Sequence, residues 1–224
     1  MGQTIDIRRP DGGTCPAYLS AGDRTANAPG IVVIQEWWGL NDQIKKTADR
    51  FAQAGYRVLV PDLYRGKLAS DAEEASHMMN HLNFIDAADQ DIQGCVTYLQ
   101  ETSKRCAVAG FCMGGALTLL SAVRVKGVAA GACFYGIPPK AVFDASKVEI
   151  PLILHFANID DWCTPAVVDG LTADLERSSS SFELHRYQAE HAFMNEARPE
   201  VYDAESARLA WERTRAFFER TLQS

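Results

Sequence analysis

Gly110-Phe111-Cys112-Met113-Gly114-Gly115, set between the apolar run Cys106-Ala107-Val108-Ala109 and the helix-forming stretch Ala116-Leu117-Thr118-Leu119-Leu120, decides how the chain reads. Strand, tight glycine turn and helix in that order form a nucleophile elbow, with cysteine where serine more often sits. Gly110 and Gly114 lack Cβ, so strand and helix can cross closely and Cys112 between them can take a strained backbone conformation. The sulfur then leaves the sheet edge at the first turn of a helix, where unpaired amides and the helix dipole favour thiolate. The alternative for the same residues is an ordinary strand-to-helix turn with a packing cysteine.

Outward from the elbow, strands and helices alternate. On the amino-terminal side, residues 4–8 and 14–20 flank Pro10-Asp11-Gly12-Gly13 as a hairpin at a sheet edge. A polar loop over 21–29 leads into Gly30-Ile31-Val32-Val33-Ile34, apolar on both faces as a doubly covered strand must be. A helix capped by Asn41 or Asp42 runs to about Ala54, with Ile44, Ala48 and Phe51 or Ala52 on one stripe, and Gly55 stops it. A strand at 56–60 and helices over 71–82 and 85–103 follow. Beyond the elbow helix come strands at 127–135, 151–156 and 182–187, a helix at 166–176 and a long amphipathic carboxyl-terminal helix. This pattern predicts a mostly parallel sheet with helices on both faces and an amino-terminal antiparallel hairpin, forming a single domain over residues 1–224. Ligands in such folds bind beyond the carboxyl ends of the strands.

Composition narrows the function. The 224 residues are 47% hydrophobic and carry a formal net charge of -7, which argues against a surface for nucleic acid or anionic lipid and favours a small-molecule partner. The first ten residues lack an apolar targeting core, and no run approaches a membrane span, so a cytoplasmic protein is expected, as monomer or small homo-oligomer. The cysteines at 15, 95, 106, 112, 133 and 163 form no C-x-x-C pair and no cluster with histidine, so no metal site is expected. His77 and His81 have metal-ligand spacing, but their polar neighbours mark a wet helix face.

A thiol attacks an acyl carbon as thiolate, which needs a base in reach and an acid to orient that base. Cys112, Asp161 and His191 occur in the order nucleophile, acid, histidine, the order of the α/β-hydrolase fold. Asp160 competes with Asp161; Asp161 is preferred because it sets the Asp-x-x-x-Pro spacing to Pro165. Glu36, just past a buried strand and followed by Trp37 and Trp38, is an unusual place for a carboxylate. His155 lies inside an apolar strand as a core histidine, and His185 is expected to face solvent. Aromatic side chains commonly wall a ligand cleft, and Trp38, Tyr64, Phe111, Tyr135, Trp162 and Phe193 are the candidates for the substrate pocket, each also able to serve as packing.

Gln35-Glu36-Trp37-Trp38-Gly39, Pro61-Asp62-Leu63-Tyr64, the elbow, Phe134-Tyr135-Gly136, Asp161-Trp162-Cys163-Thr164-Pro165 and His191-Ala192-Phe193 together resemble the dienelactone hydrolase family over nearly the whole chain. The resemblance implies a cysteine hydrolase of small esters or lactones, of the carboxymethylenebutenolidase type, working through an acyl-thioenzyme without cofactor. It further implies attack by Cys112, proton transfer by His191, orientation by Asp161, and Glu36 paired with the resting thiol. The backbone amides of Met113 and Trp37 fall where the family builds its oxyanion hole. The family also clamps a substrate carboxylate with arginines. Four residues after the histidine this chain has Asn195, and the segment 71–77 contains no arginine, so Arg65, Lys67 and Arg198 are the remaining candidates. A different class of function stays open on the same residues: a non-catalytic or redox-sensing relative with Cys112 as its reactive thiol.

Overall fold

Apolar runs separated by amphipathic stretches build one eight-stranded sheet in the computed structural model of the chain, in which residues 2–20 and 27–222 are described. Most of the polar loop expected over 21–29 lies outside the described residues. The strands are β1 (Gln3–Arg8), β2 (Thr14–Leu19), β3 (Gly30–Ile34), β4 (Arg57–Pro61), β5 (Cys106–Phe111), β6 (Val128–Phe134), β7 (Leu152–Ile159) and β8 (Phe182–Glu190). Their order across the sheet is β1-β2-β4-β3-β5-β6-β7-β8. The hairpin β1-β2 is antiparallel and meets β4 antiparallel; every pairing from β4 to β8 is parallel. This is the architecture of an α/β-hydrolase. The chain order reverses at β3, which lies between β4 and β5, so a crevice opens beyond the carboxyl ends of β3 and β5.

Period-two alternation divides the core. In β3, Val32 and Ile34 join the layer under one set of helices, while Ile31 and Val33 join the other. Helices α1 (Asp42–Gln53) and α7 (Ala204–Leu222) cover the second face, where Phe51 packs on Trp211 and Phe218. Ile44, Ala48, Phe51 and Ala52 make the buried stripe of α1, and Asn41 caps it by accepting the Ile44 amide at 3.1 Å. Helices α2 (Ala72–His81), α3 (Phe84–Asp86), α4 (Gln93–Gln100), α5 (Met113–Arg124) and α6 (Pro165–Leu175) complete the set. No helix among the described residues is long and apolar enough to cross a membrane.

The structure departs from the sequence expectation between 85 and 103. Instead of one continuous helix, a π-helical segment, Ala87–Ile92, separates α3 from α4. The wider turn carries Asp91 inward, where Arg65 clasps both carboxylate oxygens at 2.8 and 2.9 Å. Arg9 of the hairpin reaches the same carboxylate at 3.5 Å and also Asp86, so the hairpin is tied to this segment by charge-assisted hydrogen bonds. Strands β7 and β8 both run three residues beyond the expected ends, which moves the site residues relative to the strand ends.

Candidate active site

Three side chains occupy equivalent positions, each the first residue past a strand: Cys112 after β5, Asp160 after β7 and His191 after β8. At the elbow, Cys112 has φ 54° and ψ -116°, a left-handed backbone worth about 1–3 kcal/mol of strain. Close packing enforces it. A Cβ on Gly110 would come within 2.0 Å of the Gly114 carbonyl oxygen, and one on Gly114 within 2.3 Å of the Ile34 carbonyl oxygen. The Cys112 amide donates to the Phe134 carbonyl at 3.0 Å, fixing the turn against β6.

A register shift sets the other two. Between β7 and β8, Ala157 lies opposite Tyr187 but Ile159 opposite Glu190, so β8 takes three steps against two on β7. The extra residue is a bulge of the kind that re-aims side chains at strand ends. It brings His191 level with Asp160, and His191 Nδ1 lies 2.7 Å from Asp160 Oδ2. With Nδ1 engaged there, Nε2 is the nitrogen left for the hydrogen bond between His191 and Cys112.

The acid differs from the sequence expectation. Asp161 is exposed on the cleft wall, whereas the Asp160 carboxylate is fully buried against His191. Asp160 Oδ1 accepts the amides of Trp162 and Cys163, both at 2.8 Å, which locks the carboxylate with its other oxygen toward the imidazole. The spacing to Pro165 pointed one residue too far, because β7 ends at Ile159 and the next residue turns inward. Position marks the acid once β7 is seen to end at Ile159, since Asp160, like Cys112 and His191, directly follows its strand.

Electrostatics follow from these contacts. Burial works against a charged His191, yet the hydrogen bonds to Asp160 and Cys112 and their negative charge carry its pKa up to about 10. Burial likewise opposes ionisation of Asp160, but the His191 hydrogen bond and charge and the two amides hold its carboxyl below the ordinary 3.8.

Glu36 reaches the cleft but is not bonded to the thiol as the resemblance implied. Tyr135 donates its hydroxyl to Glu36 Oε1 at 3.1 Å, and Asn195 donates its side-chain amide to Oε2 at 2.7 Å. Both oxygens are thus engaged, and the partner of Cys112 is His191. Burial pushes the Glu36 carboxyl up, opposed by the Asn195 hydrogen bond, the His191 charge, Tyr135 and Arg198. Asn195, 2% exposed, is a structural partner that the sequence presented only as a missing arginine.

Met113 and Trp37 both line the cleft, and the Met113 amide, in the first turn of α5, has no intrahelical acceptor. The cleft encloses about 930 Å³. Of the aromatic candidates, Tyr135 and Trp162 line it. The other four do not. Trp38 packs edge-on against Trp37, Tyr64 donates its hydroxyl to Met113 Sδ, Phe111 stacks on Phe134, and Phe193 lies between Tyr135 and Tyr187. Tyr64, Phe111 and Phe193 turn into the layers between sheet and helices, and Trp38 stays half-buried beside Trp37. The apolar wall comes instead from the end of α2 and from α3, with Leu82, Phe84 and Ile85, and from the loop after β6. Among the three candidate cations, Arg198 lines the cleft, Arg65 turns inward to Asp91, and Lys67 does not line it.

The remaining histidines and thiols lie apart. His155 is fully buried, its ring nitrogens 2.8 Å from the Tyr187 hydroxyl and 2.9 Å from that of Thr214. His185 is half-buried and stacks on His155 rather than facing solvent. His77 and His81 are close on α2, where His81 Nδ1 meets the His77 carbonyl at 2.7 Å. Cys163 is buried beside Asp160, and desolvation with that negative charge pushes its thiol up.

The chain has relatives in sequence and in fold. The chain is 32% identical to the protein usf of Aquifex pyrophilus over 99% of its own length and all of that protein. It is 27% identical to carboxymethylenebutenolidase 1 of Cupriavidus pinatubonensis, over 94% of this chain and 93% of the other. A dienelactone hydrolase-like promiscuous phosphotriesterase from metagenomic libraries superposes with a TM-score of 0.86 at 21% identity, covering 99% of this chain and 98% of that one. The model of the dienelactone hydrolase family matches residues 15–222, from β2 to the end of α7, and with that extent of agreement the chain belongs to the dienelactone hydrolase family.

Proposed function

We propose that the chain hydrolyses small carboxylic esters or lactones through an acyl-thioenzyme on Cys112, with His191 as proton carrier and Asp160 as its orienting acid. The observation that carries this reading is the line from the strained Cys112 through His191 to the buried Asp160, with the 2.7 Å contact at its far end. The hydrogen bonds with Asp160 and Cys112 favour the protonated form of His191.

In the first half-reaction the Cys112 sulfur bonds to the substrate carbonyl carbon, and the carbonyl electron pair moves to oxygen. The amides of Met113 and Trp37 are the donors in reach of that oxyanion, a type of interaction worth about 3 kcal/mol per donor. Collapse expels the alkoxide, which takes the Nε2 proton from His191 and leaves a thioester with a neutral imidazole. In the second half-reaction that imidazole removes a proton from water as the water oxygen attacks the thioester carbon. The thiolate departs, the carboxylic acid leaves, and the protonated histidine is restored. Asp160 holds Nδ1–H throughout, which keeps Nε2 as the exchanging nitrogen. Glu36 acts from behind, through Tyr135, whose ring meets the His191 ring edge-on at 5.1 Å.

Six free cysteines, five of them buried, support a reducing compartment such as the cytosol as the working environment. The test is hydrolysis of p-nitrophenyl acetate with mass-spectrometric capture of the acyl group. Acylation of Cys112 and loss of turnover in Cys112→Ala are the expected results; full activity in that variant removes the reading.

A further inference from the structure

The geometry points to an uncharged substrate: the cleft at Cys112 takes a neutral ester or lactone with a bulky apolar arm and turns away one whose arm ends in a carboxylate. The inference rests on the hydrolase reading above and names the substrate class of that site.

Charge on the lining carries the argument. Among the described residues lining the cleft, Arg198 is the one lysine or arginine. It is partly engaged. Its Nε donates to Glu200 Oε1 at 2.8 Å, its guanidinium lies 5.8 Å over the Trp38 ring, and its charge acts on buried Glu36. Three carboxylates share the lining, Glu36, Asp161 and Glu190, and the last two are exposed. The Cys112, His191 and Asp160 set adds one more negative charge than positive when thiolate, imidazolium and carboxylate stand together. A substrate carboxylate entering this space meets an acidic surplus, felt over a screening length of about 8 Å at physiological salt.

Among the described lining residues no second cation offsets that repulsion. Asn195 donates to Glu36 and accepts the Ala197 amide at 3.0 Å, so its polar atoms are occupied. A carboxylate here competes with Glu200 and Glu36 for the one guanidinium on the lining, that of Arg198. The opposite wall is made of Leu82, Phe84, Ile85, Ile137, Val142 and Val201. Trp162, 61% exposed, stands at the lip, edge-on to Trp37 at 5.7 Å. An alkyl or aryl arm buries apolar area against this wall, whereas a charged arm loses its hydration there and meets no cation beyond Arg198 among the described lining residues.

Two matched pairs of reagents test the inference. The first is p-nitrophenyl valerate against mono-p-nitrophenyl glutarate, esters of similar length that differ by a terminal carboxylate. The expected result is a kcat/KM on the order of 10- to 100-fold higher for the neutral ester, a gap that shrinks at high salt and narrows in Asp161→Asn/Glu190→Gln. The second is alkylation of Cys112 by N-propylmaleimide against 3-maleimidopropionate, each rate normalised to glutathione and the site verified by mass spectrometry. Faster modification by the neutral maleimide is expected. Equal rates within both pairs, or a preference for the anionic member, overturn the inference. The maleimide pair reads the charge of the cleft without turnover, so ester hydrolysis that survives Cys112→Ala defeats the hydrolase reading by a different measurement.

Discussion

His155 lies in β7 and His191 directly follows the adjoining β8, both largely out of water, and their environments drive them in opposite directions. His155 meets only hydroxyls, those of Tyr187 and Thr214, with Arg213 and His185 nearby, and burial takes its pKa well below 6.5. His191 is also desolvated, but a carboxylate and a thiol face it, and its pKa rises to about 10. Burial alone therefore does not set the protonation of a histidine; the charge of the partner decides. Hydroxyl partners leave His155 neutral, and the carboxylate beside His191 favours its charged form.

Removing the sulfur is the largest perturbation of the charged region. Cys112→Ala is expected to lower kcat on p-nitrophenyl acetate by on the order of 10⁴-fold or more, read from steady-state rates. Next comes the acid. Asp160→Asn is expected to cost roughly 10² to 10⁴-fold in kcat by loosening the imidazole orientation, whereas Asp161→Asn costs less than about tenfold. Equal losses in the two variants would erase the distinction drawn between a buried and an exposed carboxylate.

The neutral region is expected to respond in stability instead. His155→Leu leaves the Tyr187 and Thr214 hydroxyls without their ring partner and should cost about 2–3 kcal/mol in urea unfolding, with kcat within twofold of the parent, roughly the range for a buried polar pair. A loss of kcat at unchanged stability would mean that His155 belongs to the chemistry.

Solution pH separates the two residues most gently. The folded pKa of His191 lies above its unfolded value of 6.5, so its stabilising contribution is full below pH 6.5 and disappears as pH rises through about 10. The folded pKa of His155 lies below 6.5, so its contribution is full above that pH and is lost as pH falls. Urea midpoints across pH should accordingly show a shallower acid limb in His155→Leu and an unchanged alkaline limb.

Much of this was legible because the elbow is local: a strand, two glycines and a helix within about ten residues specify a conformation that few alternatives satisfy. The α1 stripe and the parallel sheet were readable for a similar reason, since periodicity is a short-range property. The acid was not, because the choice between Asp160 and Asp161 depends on where β7 ends, and that end is set by pairing with a bulged β8. Nor was the pocket. Its apolar wall at Leu82, Phe84 and Ile85 comes from a segment with no motif, while the aromatics that stood out in sequence fill the layers behind it. The bond from Asn195 to Glu36 joins residues 159 positions apart, beyond any spacing rule.

The bulge in β8 limits how the chain can change in length. Surface turns such as the one after α6 can gain or lose residues without reaching the cleft. A single-residue deletion between Tyr187 and Glu190 would instead preserve pairing at the cost of shifting everything beyond it by one strand step, about 3.3 Å, and would invert which face the imidazole occupies. Length variation in this enzyme is therefore permitted on its periphery and forbidden along the last strand, where one supernumerary residue keeps base and acid in line.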